Sequence, residues 1–347
     1  MIKARRLRPG DTVATVSLSW GGPGAIPHRY QAGKRQLMEE FGVTVVETPN
    51  ALREPEWLRR NPQARAEDLM GAFADPTIRG IISTIGGEES IRLLPFLDLG
   101  IFRANPKVFL GYSDTTVAHL ACFSAGLCSF YGPAIMAGFA ENAGMFPYMT
   151  DSVRRTIFSA EPPGLIVPNR SGWTVERLEW NDPANQSRPR RLEPSTPWRF
   201  FGGCTPATGR LVGGCLEVLA WLRGTPVWPD AEAFDGAILF LETSEEGVPP
   251  RFVARELRTL AAMGILQRLS GLLVGRPGGA VPAAEFGAYD DAVLEVVHGE
   301  AELHDLVVVT QMDFGHTDPM FVLPYGVLAR IDPVAQSVEI LESGVVD

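Results

Sequence analysis

Residues 107–125 read KVFLGYSDTTVAHLACFSA, and their order decides the fold. Lys107 to Tyr112 is an apolar strand, and the run Thr115 to Ala125 that follows is helical, so only a sharp turn separates the two. A serine at such a turn is lifted clear of the sheet edge. The N–H groups behind it open a helix, where developing negative charge is stabilised. The turn Gly111-Tyr112-Ser113-Asp114-Thr115-Thr116 thus has the form of a nucleophile elbow, although Asp114-Thr115 departs from a Gly-x-Ser-x-Gly continuation. Ser113 and Asp114 are also strong helix-capping residues, and on these six residues alone capping and catalysis weigh about equally.

Toward the N-terminus the same strand–helix rhythm repeats. Thr12 to Leu18, Val43 to Glu47 and Ile78 to Thr84 read as strands. His28 to Phe41, Pro62 to Ala74 and Glu89 to Leu97 read as helices between and after them. Strands separated by helical patterns require crossover connections and a parallel sheet covered on both faces. Toward the C-terminus the pattern loosens. Gly213 to Arg223 and Pro250 to Met263 read as helices, with strands at Ala237 to Glu242, Leu269 to Val274 and Leu306 to Met312. Phe321 to Leu341 alternates in short runs that suggest antiparallel pairing. The expected class is α/β: an N-terminal parallel-sheet domain (1–165) and a C-terminal mixed α/β domain (206–347) ending in antiparallel strands. A proline-rich linker and substrate loop (166–205) lies between them. That middle stretch carries Trp173, Trp180 and Trp198 and the basic run Arg188-Pro189-Arg190-Arg191, more than a bare linker needs.

At 347 residues the chain is long enough for two domains. Its net charge of −10 makes nucleic acid and anionic membrane surfaces poor partners. No apolar run reaches the ~20 residues needed to span a bilayer, and Pro9-Gly10-Asp11 interrupts the basic N-terminus before any signal-like segment. Cys122, Cys128, Cys204 and Cys215 form no Cys-x-x-Cys pair, so a structural zinc site is not expected. Reduced thiols in a cytoplasmic protein are the consistent reading.

Three further loops bear on chemistry. Thr84-Ile85-Gly86-Gly87-Glu88-Glu89-Ser90 joins a strand to a helix, and paired glycines let backbone N–H groups approach a ligand, or simply make a tight turn. Of the five histidines, His28 and His119 lie in helical patterns, and His119 reads as a packed core residue. His298 and His304 look solvated. His316 alone sits in a loop rich in turn formers, Asp313-Phe314-Gly315-His316-Thr317-Asp318-Pro319, where a base or an ordinary loop histidine is expected. Glu242 ends an apolar strand, a place suited to holding an imidazole in one tautomer or to facing solvent.

Together these pieces resemble the LD-carboxypeptidase family, which includes the microcin C self-immunity peptidases. The resemblance rests on Thr84–Ser90 with Leu93–Asp98, Gly111–Thr116, Leu211–Leu216, Ile238–Glu242 and Phe314–Pro319, in the family's order along nearly the whole chain. It implies a flavodoxin-like N-terminal domain and a serine peptidase with Ser113 as nucleophile, His316 as base and Glu242 orienting the base. The backbone N–H groups of Gly87 and Asp114 would form the oxyanion hole. It implies neither metal nor organic cofactor, and it suggests a homodimer. Asn61–Met70 and the stretch Leu178–Arg199 look like the microcin branch, in which an aromatic loop helps hold an aminoacyl-nucleotide. Trp180 is the corresponding candidate platform, and Glu88 borders the expected pocket. Glu88-Glu89 and Cys215-Leu216-Glu217 depart from the family pattern.

Three rivals stand beside a small peptide-like aminoacyl-nucleotide substrate. One is a murein tetrapeptide cut at an L–D bond. Another is glutamine-amidotransferase-like chemistry, which favours cysteine at the elbow. The third is a non-catalytic small-ligand-binding module, which would have no use for a base.

Overall fold

Parallel strands buried on both faces need a helix over each crossover, and the N-terminal half supplies them. The computed structural model describes residues 1–347. Its first sheet runs Thr44–Glu47, Thr12–Val16, Ile78–Ser83, Val108–Gly111, Phe130–Tyr131, all parallel, with Leu323–Pro324 added antiparallel at the far edge. This is the flavodoxin-like order. Its strand sequence reverses between Thr12–Val16 and Ile78–Ser83, where such folds place ligands beyond the carboxyl ends of the strands. Helices Pro27–Phe41, Pro62–Ala74 and Thr116–Ser124 fall close to their expected bounds. Ser90–Phe96 is a 3₁₀ segment with Pro95 inside it, because proline removes the N–H that an α-helix would need there.

The second sheet has eight strands. Ala207–Cys215, Ile238–Glu242, Gly271–Gly275 and Val307–Met312 are parallel neighbours, and antiparallel strands flank them at both edges. The tail supplies the hairpin Leu328–Asp332 with Ser337–Ile340, as its alternation suggests. The middle stretch contributes edge strands of its own. Gly164–Ile166 pairs with Ser337–Ile340, and Arg199–Phe201 pairs with Val307–Met312.

One element differs in kind from its reading. The helix expected over Gly213–Arg223 begins only at Leu216, and Gly213 and Gly214 end a strand. A Cβ on Gly213 would lie 1.8 Å from the Phe240 carbonyl oxygen, and one on Gly214 would lie 2.5 Å from the Thr116 side chain. Gly213 permits close approach of the neighbouring strand in its own sheet, and Gly214 permits close approach of the helix behind Ser113. Cys215 N–H donates to Thr116 Oγ at 3.2 Å, tying the C-terminal sheet to the helix behind Ser113. One continuous apolar core spans both sheets, and no helix is long and apolar enough to cross a membrane.

Candidate active site

Ser113 leaves the strand Val108–Gly111 with φ of 63°, a left-handed conformation that costs energy for any residue with a Cβ. Such strain survives only where surrounding contacts fix it, and here they do. Tyr131 OH accepts the Ser113 N–H at 3.0 Å and donates to Glu242 Oε1. Thr116 Oγ donates to the Ser113 carbonyl at 2.7 Å. The turn therefore presents Ser113 Oγ at the carboxyl end of the first sheet.

His316 arrives from the other domain. Its loop leaves the second sheet at Met312 and rejoins the first at Leu323, so the chain crosses the interface exactly once between these strands with the histidine on the crossing. The loop is anchored at its start by Asp313. Its carboxylate pairs with the fully buried Arg276 at 2.9 Å and accepts from Trp198 Nε1 at 2.8 Å and Asn169 N–H at 3.0 Å. Further on, Thr174 and Asp318 exchange backbone hydrogen bonds. Two of the three middle-segment tryptophans, Trp173 and Trp198, are thereby accounted for as packing residues.

His316 Nε2 lies 3.0 Å from Ser113 Oγ, and its Nδ1 lies 2.6 Å from Glu242 Oε2. Glu242 is buried at the end of its strand. Gly315 is required at this point: its φ is 91°, and a Cβ there would come within 2.6 Å of the Glu242 carboxylate. Burial opposes protonation of His316. The Glu242 carboxylate, its hydrogen bond and Glu245 outweigh that and hold the imidazole well above its ordinary value. The Tyr112 ring packs 4.9 Å from the imidazole, centre to centre.

The glycine loop closes over the serine. A Cβ on Gly86 would lie 2.9 Å from Ser113 Oγ and 3.5 Å from Asp114 N, so only glycine permits this approach. The Asp114 carboxylate reaches back and accepts the N–H groups of Glu89 and Ser90, each at 2.9 Å. Gly87, at φ 143°, makes no hydrogen bond to the protein through its N–H. The expected oxyanion donors, Gly87 and Asp114, thus belong to two loops pinned together beside the serine.

A cavity of about 530 Å³ opens in front of Ser113, lined also by Gly87, Glu88, Trp180 and His316. It sits where the first sheet reverses its strand order, with Ser19 and Trp20 on one side and Ile85–Glu89 on the other. Glu88 is exposed at its rim. The Arg29 guanidinium lies 4.0 Å from the centre of the Trp180 ring, and His28 Nε2 is 2.7 Å from the Trp180 carbonyl oxygen.

The remaining histidines divide as follows. His119 is a core residue, bonded to Ser129 Oγ and to the Gly111 carbonyl; burial pushes its value down to about 3. His304 is exposed. His298 is half-buried and bonded to the Leu306 carbonyl at 3.0 Å, not solvated as expected. Residues that sequence reasoning passed over are Tyr131, Glu245, Arg29 and the group Arg190–Glu141–Asp318. Arg190 was noted only within its basic run. It pairs with Glu141 and, at 2.7 Å, with Asp318, two residues past the histidine.

A flavodoxin-like parallel sheet carrying Ser113 faces a mixed sheet whose strand end carries Glu242, and His316 lies on the connection between the two sheets. The chain belongs to the LD-carboxypeptidase family. Residues 13–132 match its N-terminal domain and residues 208–331 its C-terminal domain. A putative carboxypeptidase of Vibrio cholerae is 30% identical over 96% of this chain and 95% of its own. The microcin C7 self-immunity protein MccF of Escherichia coli is 28% identical over 98% of this chain and 95% of its own. Its structure with aspartyl sulfamoyl adenosine superposes with a TM-score of 0.84, at 27% identity and full coverage of both chains. An MccF-like protein of Streptococcus pneumoniae, solved with AMP, gives a TM-score of 0.86 at 30% identity, covering 95% of this chain and 98% of that one.

Proposed function

We propose that this protein is a serine peptidase that hydrolyses an amide-type bond of an aminoacyl-nucleotide conjugate, with Ser113, His316 and Glu242 as its catalytic residues. The observation that carries the reading is the continuous hydrogen-bonded relay from Ser113 Oγ through His316 to Glu242, across the domain interface. In the cycle, His316 Nε2 takes the Ser113 proton as Oγ attacks the carbonyl carbon. The oxyanion is held by the N–H groups of Gly87 and Asp114. His316 returns the proton to the departing group, and water, activated by the same nitrogen, releases the acyl chain from the serine. Glu242 keeps the other ring nitrogen protonated and stabilises the imidazolium while it exists.

The aminoacyl-nucleotide preference draws on the cavity. Trp180 lines it in the company of Arg29, and an aromatic ring offers a base a stacking surface. MccF and the pneumococcal protein were solved with an aminoacyl nucleoside analogue and with AMP. Glu88 faces the same space from its rim. A murein tetrapeptide is the second reading, favoured by the exposed carboxylates Glu88 and Glu176 around the cavity, which suit a peptide bearing a free side-chain amine. The test is product analysis by mass spectrometry after incubation with aspartyl sulfamoyl adenosine and, separately, with a murein tetrapeptide. Release of aspartate from the first supports the proposal. Release of a terminal amino acid from the tetrapeptide alone selects the second reading, and no cleavage of either contradicts both.

A further inference from the structure

The Nε2 of His316 has two claimants. Ser113 Oγ and Glu245 Oε2 each lie 3.0 Å from it. One ring nitrogen cannot serve both in the same protonation state. Taking the serine proton requires a lone pair on Nε2, whereas a carboxylate at ion-pair distance from that nitrogen favours the protonated, charged ring. The Glu245 contact therefore belongs to the charged imidazole, the form that cannot act as a base.

Glu245 is held in place from behind. The buried Glu217 accepts both the N–H and the Oγ–H of Ser244, at 2.9 and 2.7 Å, and so fixes the residue just before it. The Glu245 side chain itself is 65% exposed, against 7% for His316, and lines the cavity. The cations nearby have other work. Arg190 is paired with Glu141 and Asp318, and Arg29 donates to the Met136 carbonyl and to Asn142. Arg177 lies over the Trp180 ring at 5.4 Å. A carboxylate beside the reacting atoms thus has no ion-pair partner except the base it obstructs, with Arg177 acting on it only from farther off.

We propose that Glu245 receives an ammonium group of the substrate adjacent to the scissile carbonyl, and that this capture draws the carboxylate off His316 and leaves Nε2 to Ser113. The inference rests on the serine-peptidase reading above and adds to it a requirement on the acyl group. An α-aminoacyl carbonyl placed against Ser113 Oγ carries its ammonium one carbon away, within reach of a carboxylate that already touches the neighbouring nitrogen. The resulting charge-assisted hydrogen bond is stronger than a neutral one and replaces the contact with the imidazolium. Substrates lacking the ammonium leave the base capped.

The experiment measures affinity in Ser113→Ala for aspartyl sulfamoyl adenosine and for its des-amino analogue, in which hydrogen replaces the ammonium. The same pair is then measured in Ser113→Ala/Glu245→Gln. The expected result is a preference for the ammonium compound of roughly tenfold or more, the range of one charged hydrogen bond, that disappears with Glu245→Gln. Equal affinities in Ser113→Ala, failure of both compounds to bind, or a preference that survives Glu245→Gln overturns the proposal. Hydrolysis of aspartyl sulfamoyl adenosine by the otherwise wild-type protein separates the two levels. If Ser113→Ala abolishes it while the preference ignores Glu245, this inference fails and the serine mechanism stands. If Ser113→Ala retains it, the mechanism itself fails.

Discussion

The two sides of the cavity are built differently. On the relay side, Ser113, Tyr131, Glu242 and His316 are joined by hydrogen bonds into one network, buried except where the serine meets the cavity, and anchored to strand ends of both sheets. On the opposite side, Glu88, Glu176 and Arg177 stand on loops with exposed side chains, while the exposed Glu245 reaches from its own loop to the relay's base. Groups fixed on sheet ends keep reacting atoms in register, and misplacement there costs rate steeply. Exposed side chains on loops contribute contact energy but tolerate adjustment. The relay side should therefore govern kcat and the loop side KM, and each variant below tests that division.

The largest effect is expected from the relay itself. Glu242→Gln keeps the shape but loses the charge that fixes the His316 tautomer, and should lower kcat roughly 10³- to 10⁴-fold with little change in KM. A KM effect of similar size would break the division. Tyr131→Phe removes the hydroxyl that holds the Ser113 N–H and Glu242 together. It should cost about 1–3 kcal/mol of stability, as unpaired buried groups do, read as a lowered Tm, together with a fall in kcat. On the loop side, Trp180→Ala should raise KM for a nucleotide substrate by roughly 5- to 150-fold, the equivalent of about 1–3 kcal/mol per stacked base, and leave kcat nearly unchanged. Trp180→Phe should restore most of the loss.

The smallest effect joins the two sides. His316 must be neutral to act, and Glu242 and Glu245 hold its value well above the ordinary one against the opposing effect of burial. The free protein's imidazole is charged below that raised value, so kcat/KM should rise as pH climbs through it, with a midpoint above that of an ordinary imidazole. Glu245→Gln removes one of the two carboxylates and should move that limb to lower pH. A limb indifferent to Glu245 would mean that the exposed carboxylate does not act on the base.

How far the sequence reveals this arrangement follows the same line. The elbow is legible because its signals are local: a strand, a serine and a helix start within ten residues, and a glycine pair opens the crossover just before them. Glu242 and His316 could be named from strand-end and loop chemistry, but the resemblance to a family was needed to join residues 203 positions apart. Tyr131 gave no sign, because its role depends on hydroxyl contacts made to a residue of the other sheet. Gly213-Gly214 was misread as the opening of a helix, since a glycine kept for close packing against Phe240 and Thr116 looks the same in sequence as one at a turn. Glu245 carries no motif in the sequence. Its position opposite Ser113 on the same nitrogen is set by Glu217 and Ser244, neither of which carries a motif.

The central claim is that Ser113 and His316 act as one unit across the domain interface. It is tested most directly by kcat for Ser113→Ala, His316→Ala and the double variant, measured on one cleaved substrate with folding checked by Tm. Each single change should cost about 10⁴- to 10⁶-fold, and the double variant should be no slower than the slower single, because a unit once broken cannot be broken again. Losses that multiply in the double variant, or a Ser113→Ala protein that retains its activity, would contradict the account.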